Sequence, residues 1–306
     1  MSSESAFIES LRALATHPAA RGLADDAAVL EFAGRSLVLT HDMLVEGVHY
    51  LPDDPPGDVA WKLVAVNLSD LAAKGARPIG VLLGYSLRDG EWDSAFVAGL
   101  ETALGAFGIA LLGGDTVRGA HTRTLALTAI GESARPVPSR AGGLPGDHLW
   151  VTGTIGDSGG GLRGLSEALV ERYRNPRPRI EAGQRLAPLV GAMMDVSDGL
   201  LIDASRLAAA SGVAAAIDLA LVPLSQPLLA ALGDGLEARL EAATAGDDYE
   251  LLFAAAPERA AEILALQDEL GVPLSRIGTL CEGSGLVLTD GDETLPPPPR
   301  LGWEHR

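Results

Sequence analysis

Apolar and polar residues alternate along this chain in two rhythms. Short apolar runs of strand character at 37–40, 81–85, 124–130 and 148–152 are interleaved with longer stretches of helical spacing at 61–74 and 93–107. That interleaving predicts a mixed α/β architecture. Phe7, Ile8, Leu11 and Leu14 repeat at helical spacing near the start. Residues 134–146 read ARPVPSRAGGLPG, a proline- and glycine-rich break that predicts two units, 1–137 and 138–306. A second weak stretch, 175–179, predicts an exposed loop. The tail PPPPRLGWEHR is too proline-rich for a helix or central strand and should run extended, leaving Trp303 in need of a surface.

Composition narrows the function. With 47% apolar residues the chain can close a substantial core. Its 41 acidic against 23 basic residues give a net charge of −18, which argues against nucleic-acid or anionic-membrane partners. Cys281 is the only cysteine, so no internal disulfide forms and a cytoplasmic setting is expected. The first residues lack the cationic start and continuous apolar stretch of a secretion signal, and no apolar run of about 18 residues follows. Lysine occurs twice, as Lys62 and Lys74, against 21 arginines, and neither lysine stands in a phosphate-binding P-loop. The HRD and DFG elements of protein kinases are missing as well.

Aspartates recur at the ends of apolar runs or in Gly-flanked turns: Asp25, Asp26, Asp42, Asp115, Asp195, Asp198, Asp247 and Asp248. Singly, each fits a helix cap or turn. Together, with few Lys or Arg beside them in sequence, they suggest Mg²⁺, which binds through a few carboxylates plus substrate phosphates. In the segment 61–74, Trp61, Val64, Leu68, Leu71 and Ala72 form an apolar helical stripe, and Asn67, Asp70 and Lys74 share the opposite face. Two readings stay open there: an exposed Asp70–Lys74 pair worth ~0.3–0.5 kcal/mol, or Asp70 held toward a metal on a rigid element. Gly159, Gly161 and Gly164 satisfy GxGxxG without the rest of a dinucleotide fold, though such a turn can hold phosphate through backbone amides. His41 and His49 lack the spacing of a zinc site.

The stretches GLADDAAVL, LVLTHDMLVEGVHY, AVNLSDLAAKGARP, LLGGDTVRG, SRAGGLPGDHLWVTGTIGDSGGGL, MMDVSDGLLIDASRL, AGDDYELLF and the final GW pair occur in the order of one family. On these stretches the chain resembles the thiamine-monophosphate kinases, relatives of aminoimidazole ribonucleotide synthetase and selenophosphate synthetase. LVEGVHY and DDYELLF are the most specific.

The resemblance implies a two-domain α/β (α+β) fold whose N-terminal domains pair through their sheets in a homodimer, with ATP in a cleft near that pairing. It makes Asp25, Asp42, Asp70, Asp115 and Asp195 Mg²⁺ ligands, with Thr40 and Asp198 as further contacts. Gly114, Asp115, Arg140 and Ser197 would meet the nucleotide, and His49, Asp247 and Trp303 would line the thiamine monophosphate site. His41 stands where the family carries Ser or Thr and is counted with the metal contacts; Asp247 stands where it carries Glu.

The implied reaction is direct in-line transfer of the γ-phosphoryl group of ATP to thiamine monophosphate, giving thiamine diphosphate. Asp42 and Asp115 would act through the metals and Arg140 as an electrostatic helper, with no general base needed. The single Cys281 and the ending Trp303-Glu304-His305-Arg306 disfavour the sibling enzymes that use a reactive Cys. The alternative is a catalytically silent nucleotide- or metal-binding protein of the same fold. Residues 81–85 would suit an apolar edge strand for dimer pairing.

Overall fold

The computed structural model describes residues 3–119, 122–133 and 136–304. Ala134 and Arg135 of the proline- and glycine-rich break, and His305 and Arg306 of the tail, lie outside the described residues.

The first sheet has the order β1-β2-β5-β3-β4, from β1 (Ala28–Phe32), β2 (Arg35–Val45), β3 (Arg77–Leu87), β4 (Ala110–Arg118) and β5 (Thr124–Ser133). Only β3 and β4 pair in parallel, and the other pairs are antiparallel. Along β5 burial alternates with the pleat, sending Leu125, Leu127 and Ala129 into the core. There they meet α2 (Pro56–Ala73) and α3 (Gly90–Phe107), after α1 (Ser3–Arg12) at the start of the chain. Helix α2 begins a turn and more ahead of the 61–74 pattern because Pro56 suits the first helical position, where no N–H is needed. Asp89 caps α3 by accepting from the Trp92 amide at 2.9 Å, and Gly108 ends it in the left-handed region.

The expected edge strand, residues 81–85, is instead interior: β3 lies between β5 and β4. The edge on that side is β4, whose nine residues are all exposed. Its central Gly113-Gly114 pair obscures a strand pattern in sequence. Glycine is needed at position 114, since a Cβ there would collide with the Leu83 carbonyl of β3.

The second sheet runs β12-β11-β8-β10-β6-β9-β7. It comprises β6 (His148–Thr152), β7 (Ala192–Asp195), β8 (Ala214–Asp218), β9 (Leu251–Ala255), β10 (Leu274–Cys281), β11 (Gly285–Asp290) and β12 (Glu293–Leu295). Its helices are α4 (Asp157–Leu162), α5 (Glu167–Arg174), α6 (Ile180–Leu186), α7 (Leu200–Ser211), α8 (Gln226–Leu232), α9 (Leu236–Ala245) and α10 (Ala260–Leu270). Both faces are covered. Leu149, Val151, Met194, Leu252 and Ala254 point to the α7 side, while Trp150, Met193, Leu251, Phe253 and Ala255 point to α6 and α10.

Ala72 and Ala73 at the end of α2 enter that second core, so one helix joins the two layers. This is why α2 is buried along most of its length rather than on one stripe. The tail is tied down through its backbone, with Ile202 N donating to Leu301 O at 3.1 Å and Trp303 N to Asp198 O at 2.8 Å.

Candidate active site

Where the two sheets meet around α2, a cleft of about 1100 Å³ opens. Asp25, Asp42, His49, Asp70, Arg140, Asp195, Ser197, Asp198, Asp247 and Trp303 all line it, which is most of the set named from the sequence. The ligand oxygens of Asp26, Asp70 and Asp195 lie within 4.8 Å of one another.

Each carboxylate is placed by a different element. Asp70 sits in α2 and accepts from the Thr40 hydroxyl, which β2 turns inward. Asp195 ends β7 and accepts from Ser69 Oγ at 2.7 Å. Asp42 is fixed through its backbone, its N–H donating to Asn67 Oδ1 at 3.1 Å. Asp203, in the first turn of α7, accepts from the amides of Ser197 and Asp198 at 3.0 Å each, so it shapes the turn that carries two site residues. The sequence singled out neither Ser69 nor Asp203.

Cations reach these carboxylates from near and far in the chain, Lys74 and Arg140 from distant segments. Asp25 meets Arg21 and Lys74 at 2.5 Å each, and Asp26 meets Lys74 and Arg140 at 2.5 Å each. Arg206 reaches Asp198 at 2.5 Å. Lys74 is therefore no partner of Asp70 on an exposed helix face: it is fully buried and faces the N-terminal aspartates. Asp70 takes the other reading, directed into the cleft from a rigid helix. Burial alone would raise the Asp25 carboxyl, yet Lys74 and Arg21 outweigh it and hold the group below the ordinary carboxylate range.

Among the described residues no Lys or Arg pairs with Asp42, Asp70 or Asp195. Burial, then the charges of Asp26 and Asp198, push Asp42 up to about 6. Burial, then Asp26, pushes Asp195 up to about 8, and burial with Asp42, Asp195 and Asp26 pushes Asp70 well above its usual value. So much buried negative charge calls for a cation, and an all-oxygen donor set fits Mg²⁺.

At the other end of the cleft, Asp247 is held by Lys62 and by the Tyr249 hydroxyl, which donates to Oδ1 at 2.8 Å. Lys62 Nζ also lies 4.0 Å from the Tyr173 ring centroid. Asp247 and Tyr249 both adopt positive φ, 66° and 52°, a strained backbone for non-glycine residues. His49 Nδ1 accepts from the Val45 amide at 3.0 Å, and Trp303 is half exposed at the rim.

Three named residues are elsewhere in the chain. The pleat of β2 puts His41 on the opposite face from Thr40 and Asp42, exposed and bonded to Thr128 Oγ1 at 2.8 Å, so it is no ligand of this cleft. Gly114 and Asp115 lie on the exposed strand β4, where Asp115 Oδ1 accepts from the Thr116 amide at 2.9 Å. In the turn just ahead of the GxGxxG stretch the amides of Gly156 and Ser158 donate to Asp248, and within the stretch Gly161 serves packing, since a Cβ there would strike the Leu169 carbonyl of α5.

A model of the AIR synthase related protein N-terminal domain matches residues 24–133, and one of the C-terminal domain matches residues 145–291. The thiamine-monophosphate kinase of Caulobacter vibrioides is 39% identical over 304 residues, covering 94% of this chain and 86% of that protein. The chain belongs to the thiamine-monophosphate kinase family.

The Escherichia coli K12 member of that family is 38% identical over 301 residues, with 92% of this chain and 90% of that protein covered. The thiamine-monophosphate kinase structure from Stenotrophomonas maltophilia K279a superposes with a TM-score of 0.79 at 39% identity, covering 94% and 95% of the two chains. AaThiL complexed with AMPPCP and TMP superposes with a TM-score of 0.86 at 30% identity, covering 99% and 97%. HypE in complex with ATP shares the fold alone, at 22% identity and a TM-score of 0.69. Membership in the kinase family agrees with the resemblance carried by LVEGVHY and DDYELLF.

Proposed function

We infer that this chain is an ATP-dependent kinase that phosphorylates thiamine monophosphate to thiamine diphosphate. One observation carries the reading to the site: Asp42, Asp70 and Asp195 converge without a protein cation in a kinase-family fold, in a cleft whose other end is lined by His49, Asp247 and Trp303. The family supplies the substrate, since a neighbour of the same fold is described with AMPPCP and TMP.

Asp42, Asp70 and Asp195, with Asp26 beside them, would hold Mg²⁺. When bound, Mg²⁺ neutralises the phosphate oxygens of donor and acceptor, whose mutual repulsion is the main obstacle to the reaction. Thr40 and Ser69 orient the carboxylates by donating to Asp70 and Asp195. Arg140, directed at Asp26, adds positive charge where nucleotide phosphates would approach. Asp203 keeps Ser197 and Asp198 at the cleft wall. The acceptor phosphate is ionised near neutral pH, so no side chain need remove a proton from it. Trp303 and Asp247 offer an aromatic face and a carboxylate suited to a flat cationic ring.

The working division is 1–137 for nucleotide, metal and dimer contacts and 138–306 for the second unit. Gly114 and Asp115 lie outside the cleft of their own chain but on a strand edge with open backbone groups, where Leu111, Leu112 and Val117 are exposed. A homodimer through β4 accounts for both facts. Among the described residues no helix is long and apolar enough to cross a membrane, and the lone Cys281 suits a cytoplasmic enzyme.

The test is ADP release by the purified protein with ATP and Mg²⁺, using thiamine monophosphate, thiamine, selenide or an aminoimidazole precursor, with Asp42→Ala as control. Turnover with thiamine monophosphate alone, lost in the variant, is expected. Nucleotide binding without turnover on any acceptor would contradict the reading and favour a silent binding protein.

A further inference from the structure

Both lysines of this chain are almost inaccessible, and Lys74 is completely so. A buried ammonium is costly unless its surroundings satisfy it. Here Nζ lies 2.5 Å from Asp25 Oδ1, 2.5 Å from Asp26 Oδ2 and 3.2 Å from the Met193 carbonyl oxygen. Two of the ammonium's N–H groups donate, to Asp25 and the Met193 carbonyl, while the contact with Asp26 Oδ2 is an ion pair without a hydrogen bond; two carboxylates with a carbonyl are also ligands that a hard metal ion takes. Lys74 directly follows α2, the helix carrying Asp70, so its charge sits at the negative end of that helix. Asp26 is thus engaged on both oxygens by protein cations, Lys74 on one and Arg140 on the other, while its ligand atoms still lie near those of Asp70 and Asp195.

We propose that Lys74 is a built-in cation of the aspartate cluster. It takes a position that a divalent ion would otherwise fill between Asp25 and Asp26, and it holds Asp26 in place before any metal arrives. Exchangeable metal is then left to Asp42, Asp70 and Asp195, and Asp25 is a partner of Lys74 rather than a ligand. Lys74 is a positioning residue. The inference rests on the metal-binding part of the proposed function and not on the identity of the phosphate acceptor.

The experiment counts Mn²⁺ bound per full-length chain, by paramagnetic resonance titration with the metal alone after EDTA treatment and dialysis. Lys74→Met keeps length and removes charge, and it is expected to bind one Mn²⁺ more than the wild type. Asp25→Asn tests the same point in a chain that keeps its lysine, so the answer does not depend on the folding of Lys74→Met. It is expected to keep the wild-type count, with Mn²⁺ affinity changed by less than about tenfold, the lower bound for loss of an orienting partner. An unchanged count in Lys74→Met, or loss of one ion in Asp25→Asn, would overturn the inference while leaving the metal centre intact. A wild-type chain that binds no Mn²⁺ would overturn the metal reading and this inference together.

Discussion

Lys62 and Asp247 meet across the junction of the two sheets. Lys62, only 2% exposed, rises from α2 and pairs with an Asp247 carboxylate that is 32% exposed. Tyr249 holds the other oxygen, so the carboxylate facing the cleft is fixed from both sides. Removing the ammonium in Lys62→Met should free Asp247 and weaken the acceptor pocket. The expected result is a KM for thiamine monophosphate raised about tenfold, equivalent to ~1.4 kcal/mol, with the KM for ATP little changed. Steady-state kinetics with each substrate varied in turn checks it.

Stability of the metal-free protein should depend on pH in a direction set by the raised carboxyls. Burial and neighbouring charge lift Asp42 from 3.8 to about 6 and Asp195 from 3.8 to about 8. Between those limits the folded chain binds more protons than the unfolded one, so stability falls as pH rises from about 4 to about 8. Mg²⁺ favours the ionised carboxylates and should flatten or reverse that slope. Denaturant midpoints in EDTA and in Mg²⁺ across this range would show it.

Glu250 is a second buried charge, fully enclosed, accepting from Thr152 Oγ1 at 2.6 Å and Arg179 Nε at 2.6 Å and from Arg172 at 3.1 Å. It ties the end of α5 and the 175–179 stretch, read from sequence only as an exposed loop, to the start of the strand that follows the strained turn of Asp247. Glu250→Gln would leave Arg179 without its charge partner, Arg172 keeping Asp157 at 3.7 Å, and should cost ~3–5 kcal/mol, measured as a lowered denaturant midpoint.

The exposed strand β4 should be the dimer edge. Leu112, 51% exposed there, becomes a barrier to pairing when changed to Lys. Leu112→Lys is expected to sediment as a monomer and to lose turnover along with dimerisation, because Asp115 then has no second cleft to reach. A monomeric variant with full activity would contradict the shared-site arrangement.

Much of the fold was legible in its short apolar runs: β5 alternates with the pleat, and β6 is a continuous run because helices cover both faces of its sheet. The β4 edge was hidden by Gly113-Gly114; the helix of 61–74 was legible from its apolar stripe, but the burial of its other face was not, because the second core that covers its end is built from distant segments. The carboxylates at strand ends were visible as recurring aspartates and through the family resemblance. The pairing of Asp26 with Lys74 and Arg140 was not, because it spans 48 and 114 positions of chain. His41 was misplaced because a neighbour of two inward residues on a strand points outward.

Direct phosphoryl transfer to an existing phosphate is the central claim, and ³¹P NMR of the purified chain with ATP, Mg²⁺ and thiamine monophosphate tests it most directly. The account predicts that the thiamine monophosphate resonance is replaced by the two resonances of thiamine diphosphate as ADP appears in equal amount. Release of inorganic phosphate with the thiamine monophosphate resonance unchanged would contradict it.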